Sequence, residues 1–138
     1  MTGPVPEPVV LDASSTVDLL AGTDHAPAVA ARLSGVELHA PAHLDAEVLS
    51  ALGRLYRGGH LAAADVETGL RALAAMPVTR HPLADLLGDT WALRDNMRLV
   101  DALYVALAAR LDTPLVTTDH RLARTCPRAE PVPGTAPN

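Results

Sequence analysis

Phenylalanine and lysine are both missing from this 138-residue sequence, and aromatic residues are scarce: one Trp (Trp91) and two Tyr (Tyr56, Tyr104). With 49% hydrophobic residues a full core is still possible, but Ala, Leu and Val must fill it. So few rings argue against an RNA-binding surface built on aromatic stacking. The absence of Lys argues against a P-loop and against Schiff-base chemistry. It also argues against a phospho-acceptor receiver, whose chemistry commonly uses a Lys beside the strand-end Asp. Cys126 stands alone, so no intrachain disulfide forms, which fits a reducing compartment. No apolar run approaches the ~18 residues of a membrane span. Residues 1–8 (MTGPVPEP) lack the basic start and apolar centre of a signal peptide. A cytoplasmic protein with no membrane partner is expected.

Eleven basic residues, all Arg, face sixteen acidic ones, a net charge of −5. Such a balance makes a poor generic binder of nucleic acid. Four of the acids occupy unusual places, however. Asp12 ends the apolar run Val9-Val10-Leu11, and Asp119 follows Leu115-Val116-Thr117-Thr118. Glu47 lies in the amphipathic stretch 43–57, and Asp101 interrupts the apolar run 99–111. An ionised carboxylate in a low-dielectric place is costly unless paired. If the four lay within ~5 Å of one another, each pair would repel by roughly 3 kcal/mol at an effective dielectric near 20. A shared hard cation, Mg²⁺ or Mn²⁺, resolves that conflict and points to chemistry on phosphate. Cancelling the four charges leaves a net of about −1, so the acidic balance does not exclude a nucleic-acid substrate.

The pattern along the chain predicts alternating strands and helices. Pro8 to Leu11, Val36 to Ala40, Val78 to His81 and Leu115 to Thr118 read as strands, with a strand remnant after Glu130. Helices are expected after Asp12, over 27–34, 42–57, 61–75, 83–95 and 99–111, and in a short piece at 119–125. Residues 1–7 and 131–138 read as loose ends of a single domain, 1–138. The alternation implies an α/β fold with a mainly parallel central sheet. Ligands of such sheets bind beyond the carboxyl ends of strands, where Asp12 and Asp119 fall.

Each of these residues also has a plain structural reading. Asp12 and Asp119 can be helix N-caps. Glu47 can pair with Arg54 or Arg57, and Asp45 competes with it on the same helix. Asp101 can pair with Arg98. Ser14, Asn96 and Thr118 can orient a carboxylate or a phosphate, or can simply cap turns. Arg94, Arg98, Arg121 and Arg124 can hold a phosphate backbone or form a solvated face. Trp91 and Tyr104 read as core. His39 and His43 are four apart, but Pro41 between them breaks the helix that would align them as zinc ligands.

Four segments, VVLDASS (9–15), LDAEVLSALGR (44–54), RDNMRLVDALYVALAARL (94–111) and LVTTDHRLA (115–123), together resemble the PIN-domain ribonucleases. The likeness is strongest to the VapC-type toxins of prokaryotic toxin–antitoxin pairs. The resemblance implies a PIN-like three-layer α/β/α sandwich and metal-site acids at Asp12, Glu47, Asp101 and Asp119. Supporting roles fall to Ser14, Asn96 and Thr118. It further implies Mg²⁺ or Mn²⁺, cleavage of single-stranded RNA to 5′-phosphate and 3′-hydroxyl ends, a homodimer, and a VapB-like antitoxin that blocks the site. Some relatives carry an additional acid near the fourth segment; here Asp119 stands alone. The competing functional readings are a non-catalytic PIN-like module binding RNA or protein, and a nuclease acting on DNA.

Overall fold

The computed structural model describes residues 3 and 5–133. The elements run β1 (Pro8–Leu11), α1 (Ala13–Ala21), α2 (Ala26–Leu33), β2 (Glu37–Pro41), α3 (Leu44–Arg57), α4 (Ala63–Ala75) and β3 (Val78–His81). A 3₁₀ turn (Leu83–Leu86) follows, then α5 (Leu87–Ala92), α6 (Leu99–Leu111), β4 (Leu115–Thr117), α7 (His120–Thr125) and β5 (Ala129–Pro131).

Among the described residues the sheet has five strands in the order β3-β2-β1-β4-β5. Every neighbouring pair is parallel. Strands covered on both faces read as unbroken apolar runs, and Val9, Val10, Leu11, Leu115 and Val116 are all fully buried. Helix α1 packs against α2, α3 and α4; α6 packs against α5 and the 3₁₀ turn and lies on β1, β2 and β4. Together they make the three-layer α/β/α sandwich that the sequence implies.

The order reverses at β1: the chain leaves it for β2 on one side and later returns to β4 on the other. A crevice opens at such a reversal, at the carboxyl ends of the two central strands. Asp12 follows β1 and Asp119 lies two residues beyond β4, so both project from that edge.

Three expectations need correction. The helix over 83–95 is a 3₁₀ turn followed by six helical residues, because Pro82 starts it and Leu93 N–H bonds back to Thr90, tightening the last turn. Trp91 is not core: it is 58% exposed, with Leu87, Leu99 and Val100 also at the surface beside it. The first turn of α6 is correspondingly exposed, although its middle, from Ala102 to Ala108, lies largely in the core. At the carboxyl-terminal end, Pro131 belongs to β5, and Val132 is buried with its N–H bonded to Thr117 O at 2.8 Å. The loose ends expected at 1–7 and 131–138 lie partly outside the described residues, at 1, 2, 4 and 134–138. Among the described residues, no helix is long and apolar enough to cross a membrane.

Candidate active site

All four acids line one cleft of about 340 Å³, together with Ser14, Asp18, Arg54, Arg98 and Tyr104. They come from four segments: the β1–α1 junction, α3, α6 and the β4–α7 junction. The fold therefore gathers what is spread over more than a hundred residues of sequence.

Asp12 sits deepest, at 4% exposure. It caps α1, and its carboxylate accepts hydrogen bonds from the Ser14 hydroxyl (2.9 Å), the Ser15 N–H (3.0 Å) and the Thr117 hydroxyl. Burial pushes its pKa up; the bonds from Thr117, Ser15 and Ser14 offset this only in part. Among the described residues no Arg or His pairs with it, so it is a buried acid without a counter-ion. The capping and site readings coexist in this one side chain.

Glu47 is half-buried on α3. Its Oε1 accepts from the Tyr104 hydroxyl (2.7 Å) and lies 3.2 Å from His43 Nε2. His43 Nε2 also lies 3.0 Å from Val100 O, and its ring stacks on Tyr104 with centroids 4.7 Å apart. Burial raises the Glu47 pKa, but the bonds from His43 and Tyr104 and the charges of His43 and Arg98 outweigh it and bring it below the usual value. The surface pairing with Arg54 or Arg57 does not form; Arg54 instead bonds Ser50 and borders the cleft. The competing acid, Asp45, is gripped through both oxygens by Arg80, at 2.8 and 3.0 Å. Asp45 does not line the cleft, which leaves Glu47 as the cleft acid of α3.

Asp101 is held by Arg98, with Nε to Oδ2 at 3.1 Å and Nη2 to Oδ1 at 3.3 Å. Asp119 caps α7, accepting from the N–H groups of Arg121 (2.9 Å) and Leu122 (3.4 Å). A smaller cavity of about 190 Å³ adjoins the cleft, shares Arg98, Asp101 and Asp119 with it, and is also lined by Asn96, Arg121 and Thr125.

Two of the expected supporting residues are not brought to the acids. Thr118 makes no bond to the acids; Thr117 does. Thr117 closes β4 and reaches Asp12, whereas Thr118 lies beyond the strand, in the bend before Asp119. The Thr117 oxygen also accepts the Asp119 N–H at 2.9 Å, tying the two strand-end acids together. Arg94 lines neither cavity; it bonds Trp91 O and lies over the Trp91 ring, 4.9 Å from its centroid. Ser14, Asn96, Arg98 and Arg121 do border the two cavities. Tyr104, whose ring is in the core, adds a hydroxyl to the site that sequence reasoning did not assign.

The donor set is made wholly of oxygens, which suits Mg²⁺ or Mn²⁺. Among the described residues, no three His, Cys, Asp or Glu side chains are set closely enough to hold an ion as they stand. Asp101, Glu47 and Asp119 each accept from a local donor.

An α/β/α sandwich with acids from four segments at its central crevice defines a class, and the sequence profile of the PIN domain matches residues 9–126. This chain belongs to the PIN domain family. Among named relatives, it is 56% identical to Ribonuclease VapC3 of Mycobacterium tuberculosis over 128 residues, covering 92% of this chain and 93% of that one. It is 38% identical to Ribonuclease VapC12 of the same species over 116 residues, covering 84% and 90%. The fold matches the crystal structure of PAE2754 from Pyrobaculum aerophilum with a TM-score of 0.67 at 23% identity, covering 91% of this chain and 84% of that one. It also matches Mycobacterium tuberculosis VapC20, described as a Sarcin-Ricin loop cleaving toxin, with a TM-score of 0.65 at 19% identity, covering 84% and 93%.

Proposed function

We infer that this protein is a VapC-type endoribonuclease toxin whose cleft works with Mg²⁺ or Mn²⁺. The observation that carries the reading is the convergence of Asp12, Glu47, Asp101 and Asp119 on one cleft, with Asp12 buried and unpaired. The relatives named ribonucleases supply the substrate class, RNA.

When bound, such a cation supplies water activation and neutralises charge on the phosphate. The protein's own residues do the rest. Ser14, Ser15 and Thr117 hold both Asp12 oxygens in a fixed orientation. Tyr104 and His43 engage one Glu47 oxygen and keep the carboxyl ionised at neutral pH. The other oxygen, Oε2, carries no hydrogen bond among the described contacts and is available to a cation or to a proton leaving the attacking water. Asp101 and Asp119 complete an acidic rim that only a cation or a cationic group can enter favourably. Arg98 and Arg121, with Asn96, stand where a phosphate backbone leaving the acids would pass.

The proposal includes a homodimer and a small VapB-like antitoxin that covers the cleft. Co-expression with the product of a neighbouring small gene checks the antitoxin, and sedimentation of the purified protein checks the dimer.

The decisive experiment compares cleavage of a mixed RNA pool, with single-stranded DNA alongside, in Mn²⁺, Mg²⁺ and EDTA. Wild type is run beside Asp12→Ala and Asp101→Asn. Metal-dependent cuts of RNA with 5′-phosphate ends, lost in both variants, are expected. Full activity of Asp101→Asn, or cleavage undiminished by EDTA, would overturn the mechanism.

A further inference from the structure

Arg98 differs from the other arginines in where its charge lies. It is the residue just before α6 and borders both the acidic cleft and the adjoining cavity. Its fork takes both oxygens of Asp101. Glu47 and Asp119 line the same cleft. A positive group of the protein itself thus stands among three of the four cleft acids, in the region a divalent cation would enter.

The contact is built to be released. The Arg98 side chain is 67% exposed, and the pair spans a single helical turn. Exposed ion pairs of this kind are weak. A divalent ion carries twice the charge, would compete for the same oxygens, and would repel a guanidinium left beside it. Arg98 has room to leave toward the neighbouring cavity, which it already lines with Asn96 and Arg121. A planar fork of N–H donors matches a phosphate as well as it matches a carboxylate.

We propose that Arg98 is a resident counter-ion of the acidic cleft, displaced when a divalent cation binds, and that its freed guanidinium then grips a backbone phosphate of the substrate strand in the adjoining cavity. This rests on reading the cleft as a divalent-cation site. Cation binding and substrate binding are then coupled through one side chain, and the coupling is reciprocal.

The test is calorimetric titration of Mn²⁺ into the full chain, for wild type, Arg98→Gln, Arg98→Lys and Arg121→Gln, with thermal melting to show that each is folded. Arg98→Gln should bind Mn²⁺ about two- to fivefold tighter than wild type, because the competing charge is gone. Arg98→Lys should stay close to wild type. Arg121→Gln should change the affinity by about twofold or less, since Arg121 only approaches Asp119, at 3.8 Å, and is 75% exposed. The second readout is anisotropy of a phosphorothioate-linked single-stranded RNA with and without Mn²⁺. Wild type should gain affinity on adding Mn²⁺, and Arg98→Gln and Arg98→Lys should both lose most of that gain. Equal Mn²⁺ affinity in wild type and Arg98→Gln sinks the displacement alone. A full Mn²⁺-dependent gain in RNA affinity without Arg98 sinks the phosphate role. Absence of Mn²⁺ binding in both wild type and Arg98→Gln would overturn the divalent-cation reading itself and the proposal with it.

Discussion

The two ends of the sheet differ in how they hold their acids. At the amino end, Arg32 at the foot of α2 bonds both Glu7, which leads into β1, and Glu130 of β5. Asp112, which closes α6, bonds Arg128 just before β5 at 2.7 Å. Those carboxylates have an Arg each or share one, and they stitch chain segments together. At the carboxyl end Asp101 and Asp119 have Arg98 and Arg121 beside them, but Asp12 is held only by neutral donors, and Glu47 by a phenol and an imidazole. A buried ion pair satisfies an acid locally, whereas a buried acid without one stays receptive to a cation. The same contrast recurs within α3, where Asp45 is forked by Arg80 and Glu47, two residues on, is not.

Breaking the carboxyl end should have the largest effect. Asp12→Asn should lower RNA cleavage by more than about a thousandfold if, as proposed, this buried carboxylate holds the cation. The fold should not suffer. The Asp12 pKa is raised above its ordinary value of 3.8, so in EDTA the native state binds more protons than the unfolded one between that value and the raised one. Stability contributed by this group therefore falls as pH rises through that window. Urea unfolding in EDTA from pH 4 upward should show a falling trend in wild type relative to Asp12→Asn, which should melt at the same temperature or up to about 4 °C higher at pH 7. A clear loss of stability in the variant would show that Asp12 is mainly a structural cap.

The contrast on α3 can be tested directly. Glu47→Gln should cost cleavage about a hundredfold or more, while Asp45→Asn should stay within about threefold and instead lose about 1 kcal/mol of stability from the Arg80 fork. Equal losses of activity would erase the distinction. Tyr104→Phe keeps the buried ring and removes one hydroxyl from Glu47, so cleavage should drop about tenfold, with stability changed by about 1 kcal/mol. The smallest effect belongs to the amino end. Arg32→Ala should leave cleavage unchanged and reduce stability in urea by about 1 kcal/mol. A large fall in cleavage there would mean that the two ends are coupled.

Much of this architecture is legible in single segments. The strands β1 and β4 announce themselves because a strand buried on both faces must be a short run of Val and Leu, and an acid directly after it is conspicuous. The helices α3 and α6 follow from spacing and from near-continuous apolarity. Trp91 misleads because hydrophobicity gives only a prior for burial, and here the ring lies on the surface under Arg94.

What the sequence by itself determined is therefore the set of elements and the positions of the four acids at their ends and faces, since periodicity and strand-end placement are local properties. What only the tertiary structure decided is which acids remain unpaired and who holds them. Arg80 reaches Asp45 across 35 residues, Tyr104 reaches Glu47 across 57, and Thr117, not Thr118, reaches Asp12 across 105. Those partnerships depend on which side chains the packed layers bring face to face, and the free energy of a carboxylate is set by that company rather than by its neighbours in sequence.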